Sequence, residues 1–124
     1  MKYLCLLLAL FAITASAQRK VDVQVLDVKS RRSEDKLAFD GKVRIGGDKP
    51  LKGLVLEFAF LSASGEVILT QKTEVSDETL KKGDEETFHA ETNNPPGAIK
   101  YRIKAYDGAD RELRIANDGP FIIE

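Results

Sequence analysis

From residue 21 onward, apolar and polar side chains alternate with a period of two, the pattern of strands that bury one face. Val21, Val23 and Val25 alternate with Asp22 and Gln24. Leu37, Phe39, Gly41, Val43 and Ile45 alternate with Ala38, Asp40, Lys42 and Arg44. Leu54, Leu56, Phe58 and Phe60 alternate with Val55, Glu57, Ala59 and Leu61. After the turn Ser62-Ala63-Ser64-Gly65, Val67 to Val75 reads as a further strand, and Thr87 to Thr92 as a shorter one with Phe88 and Ala90 on one side. Ile99, Tyr101, Ile103 and Ala105 form an inward row against Lys100, Arg102, Lys104 and Tyr106. Asp107-Gly108-Ala109-Asp110 then turns into a last strand carrying Leu113 and Ile115. Phe121-Ile122-Ile123 extends that strand beyond the break at Asn117-Asp118-Gly119-Pro120. One stretch, Asp77 to Lys82, reads as a single helical turn. Seven short strands punctuated by Gly and Pro turns predict an all-β antiparallel sandwich rather than an α/β fold.

The first residues follow another rule. Lys2 precedes an apolar run from Tyr3 to Ile13, and Ala15-Ser16-Ala17 offers the small-x-small pattern of a signal-peptidase site. The run is shorter than the roughly 20 residues that a membrane-crossing helix needs. The expectation is a signal peptide over 1–17, cleaved after Ala17, and one domain over 18–124, secreted or periplasmic and without stable membrane insertion. Cys5 lies too early to be a lipoprotein cysteine at that cleavage site.

Composition removes several chemistries. The 124 residues include one Cys, one Met, one His and no Trp. Cys5 and Met1 both lie in the segment expected to be removed, which leaves no thiol for a disulfide, a thiolate metal site or a nucleophile. The fold must then hold by packing and strand pairing. A formal charge of −1 and the lack of a recognition motif argue against nucleic acid as a partner.

Three stretches together resemble the FxLYD-type domains, immunoglobulin-like or fibronectin-III-like modules of exported prokaryotic proteins. The first is Gly41-Lys42-Val43-Arg44-Ile45, then Lys49-Pro50-Leu51, then Leu54-Val55-Leu56-Glu57-Phe58. The second is Phe60-Leu61-Ser62-Ala63-Ser64-Gly65-Glu66-Val67, and the third is Leu80-Lys81-Lys82-Gly83 ahead of Phe88. Tyr101 to Asp107 is also similar to the strand of fibronectin type III domains in which an early Tyr closes a corner. The namesake pattern keeps its first aromatic at Phe58 but is then altered, with Phe60, Leu61 and Ser62 where Leu, Tyr and Asp stand in the family. The resemblance covers about Lys36 to Tyr106. It implies a seven-stranded antiparallel immunoglobulin-like, fibronectin-III-like β-sandwich acting as a non-catalytic accessory or binding module.

Candidate chemistry is sparse. His89, opposite Phe88 in the alternation, should face solvent, and no nucleophile elbow, zinc-binding helix or phosphate loop accompanies it. Asp107-Gly108-Ala109-Asp110 lacks the spaced acidic loop of a calcium site. The acids Asp77-Glu78, Asp84-Glu85-Glu86 and Glu91 suit solvated loops better than a cleft. The expectation is no enzyme activity, no cofactor and no metal.

The informative pattern is the outer face of the Tyr101 strand. Lys100, Arg102 and Lys104 make a basic row that ends at Tyr106. In an immunoglobulin topology this strand pairs with the one whose outer positions are Val55, Glu57, Ala59 and Leu61. Lys100, Arg102, Lys104, Tyr106, Val55 and Leu61 are the candidate binding residues, for a protein or an acidic surface polymer. The competing reading is that the Lys and Arg stems merely cover Val55 and Leu61, with Glu57 pairing Arg102. An alternative function is an assembly subunit of the cell envelope acting by edge-strand pairing, through Val21–Val28 or Phe121-Ile122-Ile123.

Overall fold

Inward rows of β-branched and aromatic residues need a second sheet to cover them, and the chain supplies it by pairing strands that are distant in sequence. The computed structural model describes residues 21–123. The expected signal segment lies outside them. The long strands are β1 (Val23–Arg32), β2 (Lys36–Ile45), β3 (Leu51–Leu61), β4 (Val67–Leu80), β5 (Glu85–Asn93) and β6 (Lys100–Tyr106). Three short ones follow, β7 (Glu112–Leu113), β8 (Ile115–Ala116) and β9 (Phe121–Ile122). One sheet has the order β5-β2-β1-β8 and the other β4-β3-β6-β7, with β9 also on β6. The sandwich is immunoglobulin-like and all-β, as expected.

The seventh strand is not continuous. Leu113 on β7 pairs with Ala105 in the second sheet, whereas Ile115 on β8 pairs parallel to Val23 in the first. The chain then returns, and Phe121 on β9 pairs with Tyr101. Asp110, in the turn before β7, and Asn117, just after β8, hold positive φ of 64° and 62°. Asp and Asn tolerate this region better than other side chains. Asp22 and Asn117 tie the crossing down: Arg114 N–H donates to the Asp22 carboxylate, and Asn117 Nδ2 donates to the Val25 carbonyl.

Inward alternation holds through β2 and β3, where Leu37, Phe39, Val43, Ile45, Leu54, Leu56, Phe58 and Phe60 are all buried. Phe39 is the hub: its ring lies 4.9 Å from Phe58, 5.6 Å from Phe60 and 4.7 Å from Tyr101, centroid to centroid. β1 changes phase midway. Its pairing with β2 shifts between Val25 and Asp27, so that Leu26 is an extra residue and Val28, not Asp27, joins the core. Gly41 occupies the inward row of β2, and the Phe88 ring of β5 fills the space a side chain would take.

Two further expectations fail. Ile99 does not join the inward row: β6 begins at Lys100 and Ile99 is 41% exposed. There the chain is still a loop strapped to β3 by the Ile99 N–H bond to the Leu61 carbonyl. Asp77 to Lys82 is not a helical turn. Register shifts along β4 absorb extra residues, and Thr79 and Leu80 resume pairing with Lys52 and Leu51. Leu80 is thereby buried, and the chain turns only at Lys81–Asp84.

Candidate functional site

Antiparallel register places paired residues on one side of a sheet, so the outer face of the second sheet can be read off rung by rung. Val55 stands between Tyr106 and Glu74, and Glu57 between Lys104 and Lys72. Ala59 stands between Arg102 and Thr70, and Leu61 between Lys100 and Val67. Ile122 on β9 pairs with Lys100 and completes the last rung. All six candidate residues, Lys100, Arg102, Lys104, Tyr106, Val55 and Leu61, therefore share one face.

Their environments differ. Arg102 and Lys104 are exposed, Lys100, Val55 and Tyr106 are half-buried, and Leu61 keeps 5% of its surface. The end of the face is apolar, since Val67 is 60% and Ile122 72% exposed on the rung that holds Leu61 and Lys100. At the other end Lys72 Nζ sits 4.8 Å from the centre of the Tyr106 ring, a cation–π contact. Lys72, Val67 and Ile122 were missed by periodicity alone, because the shifted register of β4 and the return of β9 bring them here. Glu57 does not pair with Arg102: its rung partner is Lys104, and Arg102 lies opposite Ala59. Among the described residues, no carboxylate lies within 4 Å of the charged groups of Lys100, Arg102 or Lys104.

The outer face of the first sheet contrasts with this one. Arg44 reaches Glu85 at 2.7 Å and Lys42 reaches it at 3.7 Å. Arg31 reaches Asp40 at 3.3 Å. His89 faces solvent as expected, with Nδ1 2.6 Å from Asp40 and Nε2 3.2 Å from Glu91. The Asp40 bond, then that of Glu91, raises the His89 pKa above its ordinary value. The His89 bond, with help from Arg31, holds the Asp40 carboxyl below the usual range. Arg44, then Lys42, does the same for Glu85. Both ring nitrogens of His89 are spent on carboxylates, so neither is turned to a hydroxyl nucleophile.

Asp107 is buried because its turn needs it. Its carboxylate accepts the Arg111 and Ala109 backbone N–H groups, both at 2.9 Å, and Arg111 Nε at 3.0 Å. Backbone donation from Arg111, with its side chain and Ala109, lowers the Asp107 pKa. Those bonds hold the β6–β7 turn.

Of the two expected edges, β1 is paired along its length with β2 but with β8 only at Val23 and Gln24, so among the described residues its other side has no strand partner from Val25 onward. Phe121 and Ile122 pair with β6 at Tyr101 and Lys100. The long strands β4 and β5 also end the orders of their sheets. Among the described residues, no helix is long and apolar enough to cross a membrane.

With this geometry in view, comparison with known proteins bears on the fold. No protein-family model and no curated protein matches the sequence. Solved structures do match. IrmA of Escherichia coli is similar with a TM-score of 0.52 at 16% identity, over 86% of this chain and 99% of that one. The C-terminal domain of Wzt is similar with a TM-score of 0.53 at 10% identity, over 83% and 80%. β-Glucuronidase 2 of Bacteroides uniformis is similar with a TM-score of 0.52 at 15% identity, over 74% of this chain. The chain spans only 13% of that enzyme. At these identities the likeness establishes the immunoglobulin-like sandwich and nothing about chemistry.

Proposed function

We propose that this chain is an exported, non-catalytic immunoglobulin-like interaction module, akin to the FxLYD-type domains, that docks an acidic and partly apolar protein surface on the outer face of β4-β3-β6. The observation that carries the reading is one continuous face joining the Lys100–Arg102–Lys104 row to Tyr106 at one end and to exposed Val67 and Ile122 at the other. Arg and Tyr beside apolar area are the residue types enriched at the energetic centres of protein interfaces. The opposite face carries charge as well, but much of it is neutralised internally, which leaves less for a partner to gain. The apolar rung favours a protein over an acidic polymer, because a soluble polyanion has little to offer Val67 and Ile122.

The test is cross-linking and affinity capture from the native extracellular or envelope fraction. The wild type is compared with the triple variant Lys100→Glu, Arg102→Glu, Lys104→Glu and with the Ile122→Ser variant. A protein captured by wild type should be lost with the triple variant and weakened with Ile122→Ser. An unchanged set of captured proteins overturns the site. Retention on an anionic polymer that depends on the basic row but not on Ile122 shifts the partner class to the polymer.

A further inference from the structure

β4 ends the order of its sheet, so among the described residues one side of this 14-residue strand has no strand partner. Between Leu69 and Glu74 it runs in unbroken register with Phe60 to Val55, while register shifts bend it on either side. A straight, unpaired strand stretch is a template for another strand, and natural edges are usually blunted against this. Here the bends confine the open template rather than remove it. Val67, Ile68 and Leu69, at the start of β4, are 60%, 42% and 42% exposed.

Charge selects the occupant. Lys72 and Glu74 lie two residues apart and project from the same face, opposite Glu57 and Val55. A two-fold axis normal to the sheet keeps side chains on their own face, so a self-pairing must be centred on a residue of β4. Centred on Thr73, it sets Lys72 of each copy opposite Glu74 of the other, twice, and it keeps both strands in the straight run over Lys72–Glu74, beyond which the shift between Glu74 and Ser76 bends each one. Centred on Lys72 or Glu74, it sets like charges directly opposite, which is unfavourable. The edge is thus self-complementary in one register and repelled in the two adjacent ones.

We infer that two copies of this chain associate through antiparallel pairing of β4 with β4, centred on Thr73 and fixed by reciprocal Lys72–Glu74 pairs. A rotamer change turns the Lys72 ammonium from the Tyr106 ring to the new carboxylate. Because the axis preserves faces, the outer faces of both copies lie on one side of a joined sheet. The two Lys100–Arg102–Lys104 rows then belong to a single extended surface. The pairing does not depend on what that surface binds.

Sedimentation equilibrium over a wide protein concentration range, on wild type, Lys72→Glu, Glu74→Lys and the double exchange, tests this. Wild type should show a monomer–dimer equilibrium. Each single reversal should weaken it about tenfold, from two opposite-charge pairs made alike. The double exchange should restore it, because both pairs re-form with reversed sense. A wild type that stays monomeric at about 1 mM overturns the inference, as does a dimer indifferent to the single reversals. A double exchange no tighter than the singles overturns the register. Thermal melts of all four proteins confirm that these exposed substitutions leave the fold intact.

Discussion

His89 on β5 and Asp40 on β2 stand directly opposite each other on the outer face of the first sheet, with Nδ1 2.6 Å from Oδ1. The contact joins the edge strand of that sheet to its neighbour, and Glu91 completes the bracket around the ring. Its strength depends on pH from both sides. The raised His89 pKa means that its contribution is complete below the unfolded value of about 6.5 and is lost as pH rises through the folded value. The lowered Asp40 pKa means that its contribution is present above about 3.9 and is lost as pH falls through the folded value. The melting temperature difference between wild type and His89→Gln should therefore be greatest between roughly pH 4 and 6.5 and fade as pH rises through the folded His89 value. Proton NMR of the single imidazole should give a midpoint above about 6.5. A midpoint below that value would show that the bracket does not hold in solution.

Gly41 is required by its neighbours rather than by its backbone angles. A Cβ at this position would collide with the Asp27 carbonyl oxygen and the edge of the Phe88 ring. Gly41→Ala should cost about 1–3 kcal/mol through overpacking. In a domain of this size each kcal/mol lowers Tm by roughly 4–8 °C. Combining it with Phe88→Leu should recover part of the loss relative to the sum of the single changes, while the clash with the Asp27 carbonyl remains. Strict additivity would mean that the ring is not what limits the site.

At Asp107 the two substitutions Asn and Ala should separate. Asp107→Ala removes the acceptor for Ala109 and Arg111 and should cost about 1–3 kcal/mol in urea denaturation. Asp107→Asn keeps one acceptor oxygen for those backbone groups and should lose less. The lowered pKa places this contribution above the unfolded value, so it fades as pH falls through the folded one. Equal losses for Asn and Ala would assign the role to charge alone.

The inward rows of β2 and β3 were legible because an antiparallel sheet with one solvated face forces strict alternation, and Phe39, Phe58 and Phe60 obey it. The basic row was legible for the same reason. Its neighbour Lys72 was not, because its place depends on how many residues β4 absorbs in register shifts, which no period records. Ile99 kept the alternation of β6 but lies before the first paired residue, so its period carried no burial. Asp77 to Lys82 has helix-favouring composition, and pairing with Leu51 and Lys52 overrode it. The three-part last strand was illegible in kind: pieces of two residues show no period, and consecutive pieces join different sheets.

The disulfide-free core concentrates its energy in one ring. Phe39 contacts Phe58 and Phe60 on β3 and Tyr101 on β6, so it joins the first sheet to both central strands of the second. Phe39→Ala should cost about 3–5 kcal/mol, a large share of the roughly 5–15 kcal/mol that such domains possess. Phe39→Leu retains much of the volume and should cost less, though it forfeits the stacked and edge contacts. Because β3 and β6 carry the Leu61–Lys100 and Ala59–Arg102 rungs, loosening their anchor should also raise hydrogen exchange along that face. Exchange that rises in β2 alone, with β3 and β6 still protected, would place the anchor elsewhere.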